Sequence, residues 1–149
     1  MKKLNYLVLL IPFLLLSCSS DSDSQETPAS YSVQGLWKTT SAVLNGVERI
    51  GGTNPVKSEL NYFNADYSFE TESYSDTNFS TLYSYSIGTY ALPSASIINM
   101  NANAYSASNA FFGNYNINAE IILINATQLH IKILNYPAAN DVYIKKYIR

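Results

Sequence analysis

The chain has 149 residues, with nine Lys plus Arg against eleven Asp plus Glu and a net charge of −2 with neutral histidine. That balance provides no basic footprint for nucleic acid. One cysteine and one histidine exclude an intrachain disulfide framework and a paired-histidine metal site.

The chain opens "MKKLNYLVLLIPFLLLSC". Lys2 and Lys3 form a positive start, and Leu4 to Leu16 is apolar apart from Asn5. As a helix those residues reach roughly 20 Å, short of the ~30 Å hydrocarbon core, which suits a signal-peptide helix better than a permanent span. Leu15-Leu16-Ser17-Cys18 resembles the bacterial lipobox, in which a small residue before the cut admits the peptidase and the Cys sulfur takes a diacylglyceryl group. The resemblance implies a signal peptide over residues 1–17, lipidation (diacylglyceryl and palmitate-type chains) at Cys18, and a membrane partner through that anchor. Two or three acyl chains hold stably where one is marginal. Without Lys2 and Lys3, seven basic residues face eleven acidic ones, a mature charge of about −4.

Residues 18–30 follow as the lipidated cysteine and a linker, "SSDSDSQETPAS", too polar to bury a core and expected to act as a flexible tether. Serine and acidic residues directly after the cysteine resemble the surface-export signal of Bacteroidota lipoproteins. Ser19 after the cysteine favours the outer membrane. The expected location is therefore the bacterial cell envelope, as an outer-membrane lipoprotein displayed at the surface.

Residues 31–149 read as one all-β domain. Side chains alternate with period two, β-branched and aromatic residues dominate, and no long stretch repeats at 3.6. Strands are expected from about Leu36 to Leu44, closed by Asn45-Gly46, then in "SELNYF" and "YSFETESY" around Asn64-Ala65-Asp66. "TLYSYSIGTYAL" follows and stops before Pro93, then "SIINMN", "AEIILI" and "QLHIKIL" around Asn125-Ala126-Thr127, and "DVYIKKYI". About eight strands joined in order suggest an antiparallel up-and-down β-barrel, whose closure removes sticky edges. Residues 102–118, "ANAYSASNAFFGNYNIN", fit either a long loop over the barrel mouth or a weakly patterned hairpin.

Gly35-Leu36-Trp37, Asn45-Gly46, Asn64-Ala65-Asp66-Tyr67 and Gly88-Thr89-Tyr90, in that order, resemble the lipocalin-like domains of Bacteroidota lipoproteins. Tyr67 stands where that family usually carries Gly. The resemblance implies that Gly35 and Trp37 form a structural plug at the closed end, with Lys145, Lys146 or Arg149 packing on the indole.

No constellation points to catalysis, and the chain is read as a non-enzyme without a cofactor or a metal site. His130 lacks a nucleophile motif and lies on the strand face opposite Leu129, Ile131 and Ile133. Glu70 and Glu72 share one face in parallel, which suits a solvated surface better than an acid/base pair. Tyrosine is the unusual feature, thirteen in all. Tyr83, Tyr85, Tyr90, Phe111 and Phe112 are the candidate ligand contacts, with Tyr90 facing away from Tyr83 and Tyr85 unless Gly88 marks a bulge. Two functions of different class follow: a barrel that binds a small, partly apolar ligand non-covalently, or an interaction and adhesion module that meets a protein or glycan through its outer face or loops. A Cys18→Ala variant is expected to leave the membrane fraction and change its gel mobility. Unchanged fractionation and mobility would refute lipidation.

Overall fold

The computed structural model describes residues 31–149; the expected signal segment, the expected lipidation at Cys18 and the expected linker lie outside the described residues. Nine strands follow in order: β1 (Gly35–Leu44), β2 (Val47–Glu48), β3 (Ser58–Phe63), β4 (Ser68–Tyr74), β5 (Leu82–Ser94), β6 (Ile97–Ser106), β7 (Phe111–Ile124), β8 (Gln128–Leu134) and β9 (Val142–Ile148). The sheet runs β2-β1-β3-β4-β5-β6-β7-β8-β9, and β9 also pairs with β1. The fold is thus a closed antiparallel barrel of eight strands with the short β2 appended to β1, and no helix occurs among the described residues.

The turns explain the strand ends. Asn45 and Gly46 both hold positive φ, 50° and 83°, the mirror-image turn that matches strand twist. It joins β1 to β2 rather than to the next barrel strand. Tyr67 adopts φ 64°, the left-handed geometry that glycine usually supplies, while Asp66 accepts hydrogen bonds from the Ser68 amide and hydroxyl. Asn125 Oδ1 accepts from the Thr127 and Gln128 amides and closes the β7–β8 turn.

Residues 102–118 form a hairpin, not a long loop. The short strand expected at 96–101 continues to Ser106, and β7 pairs with it from Phe111 onward. The pattern was faint because Ala102 and Gly113 face inward and asparagines face outward, both weak strand formers. Strand β5 also runs past its expected end, and Pro93 sits inside the register shift between Ala91 and Ser94, where no ladder donor is needed. Gly88 is not a bulge, because pairing runs through it on both sides. Its role is close approach: a Cβ there would lie 2.0 Å from the Asn101 carbonyl oxygen.

One barrel end is sealed. Val33, Trp37, Phe63, Phe69, Tyr90, Ile98 and Leu129 are buried together, Phe63 stacking on Phe69 and meeting Tyr90 edge-on at 5.2 Å. Trp37 is fully buried and its Nε1 donates to Val33 O at 2.6 Å. The Arg149 guanidinium lies 4.0 Å from the indole centroid and donates to the carbonyls of Ser32 and Gln34. Of the three basic residues the resemblance offered, the register gives this contact to Arg149. Gly35, at φ 123°, opens β1 beside that guanidinium. Arg149→Ala removes a cation–π contact and two charge-assisted hydrogen bonds, and is expected to cost about 1–3 kcal/mol in urea unfolding. Arg149→Lys should recover only part of that loss, because an ammonium lacks the planar fork.

Candidate functional site

Alternation along each strand decides what faces the lumen. Above the apolar seal, β3 sends in Glu59 and Asn61, β4 Thr71 and Ser73, β5 Ser86, and β9 Tyr143, Lys145 and Tyr147. Strands β6, β7 and β8 contribute Met100, Tyr115, Ile117, Ile131 and Ile133. These residues enclose a cavity of about 190 Å³, smaller than the ~300 Å³ at which drug-sized pockets begin. Its wall is two-sided: Met100, Ile117, Ile131 and Ile133 make β6–β8 mostly apolar, with Tyr115 among them, and hydrogen-bonding groups line β9, β3 and β4, backed by Thr39 of β1.

The polar wall centres on an ion pair. Lys145 Nζ donates to Glu59 Oε1, and both side chains are about nine-tenths enclosed. Thr39 Oγ1 donates to the same oxygen at 2.9 Å, and Asn61 Nδ2 reaches both Thr39 Oγ1 and Glu59 Oε1. Thr71 Oγ1 completes the chain by donating to Asn61 Oδ1 at 2.9 Å. Glu59 is therefore held from three sides through one oxygen. Burial is the largest single influence on Lys145 and would lower its pKa, but the charge and hydrogen bond of Glu59 together with Tyr147 and Tyr143 outweigh it and hold the ammonium well above its ordinary value. Burial pushes the Tyr147, Tyr143 and Tyr115 hydroxyls up, so all three are neutral near pH 7. Among the described residues no protein group hydrogen-bonds the hydroxyls of Tyr136, Tyr143 or Tyr147, which line the cavity.

The tyrosines singled out from sequence fall elsewhere. Tyr83, Tyr85 and Ile87 point outward, and Ser84, Ser86 and Gly88 take the inner positions. Phe111 and Phe112 are exposed at the start of β7, with Phe112 in a register shift. Only Tyr90 faces inside, in the sealed end, its hydroxyl donating to Asn64 O at 2.8 Å. The lumen wall is thus not built from Tyr83, Tyr85, Phe111 or Phe112. The reason is volume: small β5 side chains leave room for Tyr115 and its neighbours inside.

Glu70 and Glu72 face outward. Glu72 accepts hydrogen bonds from the Tyr62 and Tyr74 hydroxyls, and burial together with Glu72 lifts the Tyr74 pKa to about 12. His130 is also outside, opposite Lys146, and burial and that charge hold its pKa below the usual value. Glu59 went unremarked in the sequence and Lys145 was offered only for the indole contact, although they share strand parity with Asn61 and Phe63 and with Tyr143 and Tyr147. No family model matches the chain, and no curated protein or solved structure matches it significantly.

The raised pKa values of Lys145 and the inner tyrosines have one sign. The folded protein keeps protons that the unfolded chain releases above about pH 10, so stability holds below that pH and falls as pH rises through the folded values. Denaturant titration between pH 7 and 11, with tyrosinate absorbance as a second probe, checks this. Glu59→Gln strands the ammonium and is expected to cost about 3 kcal/mol at pH 7. Desolvation then dominates at Lys145, so the deficit of the variant should narrow as pH approaches 10.

Proposed function

We propose that this protein is a lipid-anchored component of a bacterial outer membrane, of the lipocalin-like lipoprotein kind. Its lumen binds one small, partly apolar ligand without covalent chemistry. The observation that supports the reading best is the two-sided cavity of about 190 Å³. Its aliphatic wall excludes water from a hydrocarbon or ring face, while the free tyrosine hydroxyls and the Glu59–Lys145 pair orient a polar end. The size selects a compact molecule over a long acyl chain. The lipobox-like cysteine supports the address. The reading assigns no catalytic residue and no cofactor.

Indole, a compact ring with one N–H donor, is a suitable probe. Isothermal titration of the full-length chain in detergent is expected to show saturable binding of one equivalent. Ser86→Trp, which fills the lumen from β5, should abolish it, whereas Tyr83→Trp on the outer face should leave it unchanged. No saturable uptake, or equal uptake by both variants, overturns the lumen as a binding site.

A further inference from the structure

The outer face of β5, β6 and β7 differs from the rest of the barrel. Between Asp76 and Glu120 the chain carries no Asp, Glu, Lys, Arg or His. Across β6 and β7 the register pairs Asn99 with Asn118, Asn101 with Asn116 and Asn103 with Asn114, all on the face opposite Met100, Ala102, Tyr115 and Ile117. Three rows of amides therefore stand side by side, ~7 Å from row to row along the strands. Among the described residues their side chains hydrogen-bond no other protein group. One of them, Asn99 Oδ1, is buried without a partner. It lies in a shallow groove of about 220 Å³ that Thr89, Ala91, Asn101 and Asn116 also line. A buried oxygen without a hydrogen-bond partner keeps the cost of its lost hydration, and a ligand donor would remove that cost.

The next row along the same face is aromatic. Tyr85 pairs with Tyr105, and Tyr105 with Phe111. The Tyr85 and Tyr105 rings stack at 5.1 Å, Phe111 tilts against Tyr105 at 5.7 Å, and the Tyr85 hydroxyl donates to Asn109 Oδ1 at 2.9 Å, fixing the platform.

We propose that this face binds a neutral glycan chain, with a sugar ring laid on the Tyr85–Tyr105–Phe111 platform and successive hydroxyls bonded to the asparagine rows. Each amide offers two donors and one acceptor, and a sugar hydroxyl is both donor and acceptor and rotates to suit, so the rows can be satisfied at many registers. A protein partner fits worse. Protein interfaces bury an apolar or aromatic centre, and covering six amides with a protein surface would strand donors and acceptors wherever the match failed. Neutrality follows from charge. The face has no cation to hold an acidic sugar, and Glu70 and Glu72 stand beside Ile87 and Tyr85 on the neighbouring β4, where they repel one. The site is on the opposite side of the barrel wall from the lumen and does not depend on it.

Affinity electrophoresis of the full-length chain in detergent, through gels holding galactomannan, xyloglucan or dextran, tests the proposal, with alginate as the polyanionic control. At least one neutral polysaccharide is expected to retard the protein. Tyr105→Ala and Asn101→Ala should each weaken the apparent affinity about tenfold. Asn101→Ser, a smaller change, should give an intermediate loss with an unaltered thermal midpoint. Ser86→Trp should have no effect, which separates this face from the lumen. Retardation by none of the neutral polymers, retardation by alginate alone, or equal retardation of wild type, Tyr105→Ala and Asn101→Ala overturns it. So does self-association in sedimentation that Tyr105→Ala abolishes, since the face would then join two copies of the chain.

Discussion

The pairing of β9 with β1 is the constraint on which the rest depends. It joins the last strand to the first over Lys38↔Ile148 through Leu44↔Tyr143, with one shift between Thr39 and Ser41. Arg149 then reaches across the seam to the indole of Trp37 and to the strap carbonyls of Ser32 and Gln34. A meander left open would expose two edges and leave each strand with two wet faces. Once closed, each strand has a dry side, and alternation sorts every side chain into lumen or surface.

The lumen is graded along its axis. Aromatic and aliphatic side chains fill the sealed end to contact, while the middle holds an ion pair, amide and hydroxyls around space. A buried ion pair rarely adds net stability over an apolar pair of the same volume. Its retention here, linked to Thr39, Asn61 and Thr71 in one hydrogen-bonded chain, instead gives the cavity a fixed electrostatic direction. In the proposed function, the free tyrosine hydroxyls beside it would use that direction to orient a ligand.

The same strands build a second surface on their outer side. Residues Ser84, Ser86 and Gly88 on β5 are small inside, and Tyr83, Tyr85 and Ile87 are large outside, an inversion of the usual pattern. The close approach of β5 to β6 at Gly88, where a Cβ would strike the Asn101 carbonyl, belongs to the same geometry. Apolar area that would ordinarily stabilise a core is exposed instead, next to asparagine rows without a charge among them.

Much of the fold was legible in the sequence because it is local. Period two, the Asn45-Gly46 turn and the Asn/Asp turns at 64–66 and 125–127 mark strands and their ends through backbone preferences of a few residues. The parity of Glu70 with Glu72, and of His130 against Leu129 and Ile131, followed from the same rule. Parity says which side chains share a face, not which face is inside. Tyr83 and Tyr85 looked like a lumen wall, and only the closed barrel, with Ser84, Ser86 and Gly88 turned inward beside Tyr115, puts them outside. Glu59 and Lys145 are 86 positions apart in the chain, so their pairing exists only because β9 closes near β3 by way of β1. The sequence by itself determined most of the strands, their order and the Asn- and Asp-marked turns, which depend on neighbours, but not the hairpin within 102–118. Tertiary structure decided the lumen, its ion pair and the uncharged outer face, because each depends on which strands meet when the barrel shuts.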